Sequence, residues 1–348
     1  MNEVQQLLDE LVGSGTERGL QAAVYRDGKQ VVDAVAGTDA AGRIVSAGTP
    51  VPALSTGKGV AATIVHVLVD RGVLAYDTRI AAVWPEFGVH GKDAATLRDL
   101  LLHAVGVPSL PPGTTTETLC DWDGICALLA EARPAWQPGT RSGYHAQTWG
   151  FIVGQVVRRA TGRRISEVLR DDVASPLGVA DELYFGVPEP ELDRVARVEE
   201  GPGYGDLLAR SGSPVPPTAE YCNSPHVLAA DIPSEGVMSA RAVARMYAAL
   251  LGPVDGVRLV GERTLSELSA IAYDGPDVVM GFPTKLALGY GIGRPGGETV
   301  PVFGMPGAGG SAAYANAATG VAWAVTTTRL HAGTSPALAR VAELVERD

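Results

Sequence analysis

The stretch Ala53-Leu54-Ser55-Thr56-Gly57-Lys58-Gly59-Val60 stands directly before an apolar run over residues 61–69. A helix that begins at about Ser55 places Ser55 and Lys58 on one face, so the amine can reach the hydroxyl. The start of a helix also carries unpaired backbone N–H groups and the positive end of the helix dipole, which suit a developing oxyanion. This spacing also occurs by chance on solvated helices, so the rest of the chain has to supply the other parts of a nucleophilic serine site.

Length and composition limit the classes of protein to consider. The chain has 348 residues, of which 46% are hydrophobic and 19% charged, which predicts a globular protein of one large or two closely packed domains. The net charge of -11, without any basic run, argues against nucleic acid or an anionic membrane as a partner. The N-terminus lacks a signal sequence and no apolar stretch is long enough to span a bilayer, so we expect a cytoplasmic protein.

Cysteines and histidines give no sign of a disulfide framework, a metal site or a cofactor. Cys120, Cys126 and Cys222 are odd in number, lack C-x-x-C spacing and are expected to be buried apolar residues. The histidines have no spacing typical of metal ligands. They are His66, His90, His103, His145, His226 and His331.

The order of the predicted elements indicates the fold class. Residues 3–14 read as a helix, followed by a hairpin whose strands, at 21–26 and 30–36, join at Asp27-Gly28. Further strands are predicted at 300–303, 311–315 and 321–327, and a last helix at 335–347. Between the two sets, helices are predicted at 55–72, 95–103, 124–132, 149–161, 240–251 and 262–271. This order predicts an α+β fold, in which an antiparallel sheet built from both chain ends is flanked by helices and contains an inserted helical region.

This order of elements also predicts two domains with the active site between them. The sheet domain comprises residues 1–75 and 236–348, and the mainly helical domain comprises residues 76–235. Within the latter, residues 181–235 are rich in Pro, Gly, Asp and Glu and carry little periodicity, so we expect a long loop that walls the pocket.

Two segments offer partners for a serine nucleophile. Tyr144 and His145 stand at the start of an apolar helix, and a tyrosine that has lost its proton beside a cation is a competent base. Tyr144 could equally be an amphipathic residue at a helix entry, and we expect His145 to make a minor polar contact to substrate. The glycine-rich run over residues 304–311 lets a ligand approach the backbone and can donate N–H groups to an oxyanion, although it could also be a simple hairpin loop.

Other active-site classes lack their signatures. The chain has no Gly-x-Ser-x-Gly elbow, which removes the main support for an α/β-hydrolase. The glycines of residues 201–205 neither follow a predicted strand nor open a helix, so they are not a dinucleotide-binding fingerprint.

Taken in order, Ser55-x-x-Lys58, the Tyr144 segment and the loop at 304–311 resemble the serine β-lactamase-related superfamily, close to class C β-lactamases and family VIII carboxylesterases. The likeness spans nearly the whole chain. It also includes Leu74-Ala75-Tyr76-Asp77, Trp84-Pro85-Glu86-Phe87, residues 97–103, residues 136–140 and residues 289–293.

The resemblance implies a role for each matching position. Ser55 would attack a carbonyl and become acylated, while Lys58 and Tyr144 would relay the proton between Ser55 and the leaving group. The backbone N–H groups of Ser55 and Ala308 would hold the oxyanion. Substrate contacts are expected at His145, Met305, Gly307 and Gly309.

Two positions depart from the family pattern. β-Lactamases have Lys-Thr-Gly, and esterase-like relatives often have His or Trp for that lysine, where this chain has Met305-Pro306-Gly307. Class C enzymes carry an asparagine two residues after the tyrosine, where this chain has Ala146. A methionine cannot anchor a substrate carboxylate, so we expect a neutral ester, or an acyl group carried on a partner, with Met305 as an apolar wall.

The leading hypothesis is therefore a serine hydrolase of carboxylesterase type that cleaves a neutral ester through an acyl-serine intermediate. One alternative keeps the acyl-enzyme but transfers the acyl group to a small alcohol or amine, as an acyltransferase, transesterase or amide-forming enzyme would. Another is a non-catalytic binding protein of the same fold, which Met305 favours and the intact Ser55, Lys58 and Tyr144 disfavour. No feature of the sequence specifies an oligomeric state.

Overall fold

A computed structural model of the chain describes residues 2–293 and 302–347. The α-helices are α1 Asn2–Gly13, α2 Thr56–Asp70, α3 Ile80–Val83, α4 Leu97–Leu101, α5 Thr116–Cys120, α6 Trp122–Glu131, α7 Thr148–Thr161, α8 Ile165–Val168, α9 Tyr204–Ser211, α10 Ala219–Cys222, α11 Pro225–Ala229, α12 Ala240–Leu251, α13 Glu262–Ser269 and α14 Pro336–Arg347. Short 3-10 helices cover Pro85–Gly88 and Glu189–Arg194, and a π-helical turn covers Leu169–Ala174.

The strands are β1 Gly19–Arg26, β2 Lys29–Gly37, β3 Val51–Leu54, β4 Leu183–Tyr184, β5 Glu199–Glu200, β6 Gly236–Met238, β7 Tyr273–Pro276, β8 Pro283–Leu286, β9 Gly291–Ile292, β10 Val302–Pro306, β11 Ala312–Asn316, β12 Val321–Thr327 and β13 Arg329–Leu330. Residues 300 and 301 of the predicted strand at 300–303 lie outside the described residues.

One antiparallel sheet contains strands from both ends of the chain. Within the described residues its order is β2-β1-β12-β11-β10-β9-β8-β7. Strand β1 pairs with β12, and the pairing runs from Leu20 opposite Thr327 to Arg26 opposite Val321. The predicted α+β fold is therefore confirmed, including the assembly of the sheet from both chain ends.

The alternation of side chains in β1 explains why helices cover both faces of the sheet. Ala22 and Val24 point into an apolar cluster with α1 and α14, whereas Ala23 and Tyr25 point into the larger core that contains α2 and α12. A strand buried on both faces requires apolar residues at successive positions, and β1 is buried along almost its whole length. Helix α2 is consequently enclosed between the sheet and the helical region, so its first turn is rigidly placed.

The predicted hairpin at Asp27-Gly28 is confirmed. Asp27 and Gly28 have φ angles of 49° and 74°, as the tight turn between two right-twisted strands requires. A Cβ atom on Gly28 would lie 2.2 Å from the carbonyl oxygen of Pro253, so the turn also packs closely against the loop after α12.

Several element boundaries differ from the sequence prediction. Residues 181–235 are not one extended loop, because they contain β4, β5, α9, α10, α11 and a 3-10 helix. These elements are mostly two to five residues long, too short to produce a periodic pattern. The helix predicted at 95–103 is only Leu97–Leu101, and the hairpin formed by β7 and β8 was not predicted.

The division into a sheet domain and a helical domain stays a prediction. A second sheet, of order β3-β6-β4, joins the strand before Ser55 to residues 183–184 and 236–238, and so connects the two regions.

Over residues 2–293 and 302–347, no helix combines the length and apolar character needed to cross a membrane.

Candidate active site

Strand β3 and helix α2 meet in a strained turn that presents Ser55. Leu54 has a φ of 48°, an uncommon conformation for a bulky residue, which is maintained where the surrounding structure requires it. Ser55 is the N-cap residue of α2, yet its side chain makes no capping hydrogen bond within the described part of the chain. A Cβ atom on Gly57 would lie 2.4 Å from the backbone nitrogen of Gly236, so only glycine lets β6 pack against this first helical turn.

The structure brings Ser55, Lys58 and Tyr144 together. Nζ of Lys58 donates a hydrogen bond of 2.9 Å to Oγ of Ser55, and the hydroxyl of Tyr144 donates another of 2.9 Å to the same atom. Nζ of Lys58 also lies 5.1 Å from the centre of the Tyr144 ring. The nucleophilic oxygen is therefore in direct contact with two groups that can move a proton.

Lys58 is 0% exposed, and its Nζ atom is held by a backbone carbonyl that the sequence does not reveal. Nζ donates a second hydrogen bond, of 3.2 Å, to the carbonyl oxygen of Ser234. The segment around Ser234 is fixed from the other side by α7, because a Cβ atom on Gly150 would lie 2.1 Å from the nitrogen of Ser234. Lys58 is thus restricted to one position beside Ser55.

The backbone of Tyr144 is bound by the carboxylate of Asp277, a contact that no pattern in the sequence indicates. The N–H of Tyr144 donates to the two oxygens of Asp277 at 3.1 and 3.0 Å, and the N–H groups of Val279 and Met280 donate to the same side chain at 2.9 and 2.8 Å. Asp277 is 6% exposed and belongs to the turn between β7 and β8. A surface hairpin and the loop that carries Tyr144 are therefore joined through one buried carboxylate.

His145 was predicted to contact substrate, but it is fully buried and both of its ring nitrogens bind backbone groups. It is therefore not placed to make that contact. Nδ1 donates to the carbonyl of Gly143 at 2.6 Å, and Nε2 accepts from the N–H of Val107 at 2.9 Å. Burial lowers the pKa of His145 to about 4, so the ring is neutral near pH 7.

A second buried histidine, His103, packs against the catalytic candidate Tyr144. The two ring centres are 5.0 Å apart, and Nδ1 of His103 accepts the N–H of His145 at 3.1 Å. Burial lowers the pKa of His103 well below its ordinary value. The two histidines therefore support the backbone and ring of Tyr144 as neutral groups.

The glycine-rich loop packs against the turn before Ser55. The N–H of Gly307 donates to the carbonyl of Ser311 at 2.7 Å, and the N–H of Gly310 donates to the carbonyl of Gly307 at 3.2 Å. A Cβ atom on Gly307 would lie 2.2 Å from the carbonyl oxygen of Ala53. The close approach of the two backbones therefore requires glycine at this position.

Ala308, at the exposed tip of the same loop, carries the second predicted oxyanion donor. Among the described residues, neither the N–H of Ser55 nor that of Ala308 has a hydrogen-bond acceptor. Both donors are therefore available to a substrate carbonyl, although their oxyanion role remains a prediction.

Gly309 and Met305 have packing roles that differ from the substrate contacts predicted for them. Gly309 is buried with a φ of 91°, a Cβ atom there would lie 2.7 Å from Leu330, and its carbonyl accepts the N–H of His331 at 3.1 Å. Met305 is 6% exposed, and a Cβ atom on Gly59 of α2 would lie 3.3 Å from its Cβ. Gly309 thus packs the loop against β13, and Met305 is buried with its Cβ close to helix α2.

The chain matches known proteins over almost its whole length. A sequence model of the Beta-lactamase family matches residues 4–346. The Mycobacterium tuberculosis protein Esterase/beta-lactamase LipL is 35% identical over 334 residues, which cover 88% of this chain and 76% of that protein.

Solved structures also match this chain over almost its whole length. A family VIII carboxylesterase superposes with a TM-score of 0.92 at 31% identity, covering 99% of this chain and 96% of that one. A penicillin-binding protein homologue from Caulobacter crescentus superposes with a TM-score of 0.87 at 32% identity, covering 98% and 95% of the two chains.

Proposed function

This chain belongs to the Beta-lactamase family and is a serine hydrolase, and we propose that it is a carboxylesterase that cleaves a neutral ester through an acyl-serine intermediate. The observation that carries the proposal is the contact of both Lys58 Nζ and Tyr144 Oη with Ser55 Oγ, at 2.9 Å each. A serine hydroxyl is a weak nucleophile until an adjacent group accepts its proton. Here two such groups are already in hydrogen-bonding contact with it.

In the proposed reaction, Ser55 Oγ forms a bond to the ester carbonyl carbon as its proton passes to the Lys58–Tyr144 pair. The carbonyl oxygen becomes an oxyanion and accepts hydrogen bonds from the N–H groups of Ser55 and Ala308. The bond to the alcohol then breaks, and the pair returns the proton to the leaving alkoxide. Water attacks the acyl-serine by the same route and releases the carboxylic acid.

A neutral substrate is favoured by Met305. Where β-lactamases have the lysine of Lys-Thr-Gly, this chain places a methionine that is buried between the sheet and α2. A thioether offers no charge to pair with a carboxylate, so a substrate that carries a carboxylate next to its scissile bond gains nothing at this position. An uncharged ester does not need such a partner.

The test is acylation of Ser55 by p-nitrophenyl acetate. We expect a burst of p-nitrophenol, an acetyl adduct on the peptide that contains Ser55, and loss of both in Ser55→Ala. Ser175→Ala is the matched control, because Ser175 is exposed and lies outside the site. A wild-type protein that releases no p-nitrophenol and carries no adduct on Ser55 would contradict the proposal.

Two further measurements distinguish the proposed esterase activity from β-lactam hydrolysis and from acyl transfer. A chromogenic cephalosporin tests β-lactam hydrolysis, for which we expect kcat/KM far below that for p-nitrophenyl acetate because Met305 provides no charge. Addition of a primary alcohol during turnover tests acyl transfer, and a dominant transfer product in place of the free acid would favour an acyltransferase.

A further inference from the structure

The turn between β7 and β8 exposes an unusual group of apolar side chains. We refer to residues 278–282, Val278-Val279-Met280-Gly281-Phe282, as the hairpin tip. Its four side chains are between 44% and 52% exposed, and the tip contains no charged residue. Single exposed apolar residues are common on protein surfaces, but a contiguous group is typical of a surface that binds something.

The hairpin tip is continuous with the active site. Asp277, the residue before it, accepts the N–H of Tyr144, and the N–H of Val278 donates to the carbonyl of Ser142 at 3.0 Å. Ser142 and Asp277 thus form an isolated parallel bridge between the Tyr144 loop and the hairpin. The tip is therefore connected to the loop that carries Tyr144 by one backbone hydrogen bond at Ser142. It is connected to the N–H of Tyr144 itself through the Asp277 carboxylate, which the N–H groups of Val279 and Met280 also bind.

Side chains of the hairpin tip also pack against Gly143, the residue before Tyr144. A Cβ atom on Gly143 would lie 2.8 Å from Val279, 2.9 Å from Val278 and 2.9 Å from the ring of Trp136. The two valines and the tryptophan therefore converge over the residue that precedes Tyr144. Because Gly143 has no side chain, this apolar group closes over it and extends the rim of the site on the Tyr144 side.

We propose that the hairpin tip is a binding subsite for the hydrocarbon part of the alcohol in the ester substrate. This inference rests on the proposed function. In that reaction Tyr144 belongs to the pair that returns a proton to the leaving alkoxide, so the alcohol lies on the Tyr144 side of the scissile bond. In this proposal an alkyl chain on that alcohol runs along the valines that cover Gly143 towards Met280 and Phe282, which bury apolar surface when it binds.

The test compares two series of esters that differ in opposite parts. Alkyl acetates from butyl to decyl lengthen the alcohol, and p-nitrophenyl esters from acetate to octanoate lengthen the acyl group. For the wild-type enzyme we expect kcat/KM to rise along the alkyl acetates by up to roughly fourfold per methylene that becomes buried. The double variant Met280→Ser/Phe282→Ser should lower kcat/KM for decyl acetate relative to butyl acetate by roughly tenfold, and the acyl-chain dependence should not change.

Ile271→Ser is the matched control, because Ile271 is an exposed apolar residue outside the tip, 54% accessible. It should leave the dependence on alcohol length as in the wild type. Thermal unfolding of each variant verifies that the fold is retained. If Met280→Ser/Phe282→Ser does not fold, the single variants Met280→Ser and Phe282→Ser are compared instead, each with about half the effect on a logarithmic scale.

Three results would overturn the inference while leaving the proposed function intact. One is an unchanged dependence on alcohol length in the double variant, and another is loss of the acyl-chain dependence instead. The third is an unchanged dependence together with a change from dimer to monomer in sedimentation, which would assign the tip to contact between copies of the chain. Failure of the proposed function is distinct, because the wild type would then release no p-nitrophenol from p-nitrophenyl acetate.

Discussion

Replacement of Asp277 by alanine should reduce activity without changing any group that contacts Ser55. The side chain of Asp277 accepts the N–H groups of Tyr144, Val279 and Met280, and it is the buried group that joins the hairpin to the Tyr144 loop. Asp277→Ala leaves these donors without the carboxylate. Asp277→Asn keeps one oxygen acceptor but removes the negative charge and places an amide group where the second oxygen stood.

The expected magnitude follows from the number and kind of hydrogen bonds. Hydrogen bonds to a charged group contribute about 1.5 to 3 kcal/mol each, but water replaces part of that contribution when a partner near the surface is removed. We therefore expect Asp277→Ala to lower the free energy of unfolding by about 3 kcal/mol, and Asp277→Asn by about 1 to 2 kcal/mol. A displacement of Tyr144 by about 1 Å should lower kcat by roughly a hundredfold in the alanine variant, with partial recovery in the asparagine variant.

The assay combines kcat and KM for p-nitrophenyl acetate with urea unfolding. Asp274→Asn is the matched control, because Asp274 lies on the same hairpin but is 59% exposed and pairs only at 3.5 Å with Lys285. Its surface ion pair should contribute less than about 1 kcal/mol. A kcat for Asp277→Ala equal to that of the control, in a protein that is measurably less stable, would refute the positioning of Tyr144 by Asp277.

The remaining predictions concern the site and Glu235, a partly buried acid near Lys58. Lys58→Ala and Tyr144→Phe should each lower kcat/KM by roughly a hundredfold or more, because each removes a partner in proton transfer, and near-normal rates in folded variants would exclude those roles. Gly307→Ala should lower kcat/KM by at least roughly tenfold, because its Cβ would lie 2.2 Å from the carbonyl oxygen of Ala53, whereas unchanged kinetics would mean that the loop adapts. Burial raises the pKa of Glu235 above its ordinary value of 4.5, so the folded state holds this proton more tightly than the unfolded state and loses stability as pH rises through the raised pKa. Glu235→Gln should therefore weaken the decline in urea stability above about pH 4.5, and an identical decline in wild type and variant would contradict this.

Local sequence signals predicted the parts of the structure that depend on local chemistry. The turn at Asp27-Gly28 requires residues that tolerate positive φ, and the Ser55–Lys58 contact depends on helical spacing. Tyr144 contacts Ser55 across 89 residues. Its position at the start of an apolar helix makes it a candidate base, but only the resemblance to a known family assigns it to Ser55.

The contacts between distant residues that hold Lys58 and Tyr144 in place leave no pattern in the sequence. Lys58 binds the backbone carbonyl of Ser234, and any residue type can supply a carbonyl. Asp277 acts on the backbone of a residue 133 positions away, and an aspartate in a turn is normally explained by the turn itself. The role predicted for His145 was wrong because its position next to Tyr144 said nothing about burial.

The pairing of β1 with β12 has a consequence for synthesis of the protein on the ribosome. Strand β1 ends at Arg26, yet the strand that covers its free edge, β12, begins only at Val321 and is therefore translated much later. Until then, β1 has apolar side chains on both faces and an unpaired edge, which favours association with other nascent chains. Folding should accordingly be slow, and the serine helix should acquire its sheet support only after β12 has left the exit tunnel.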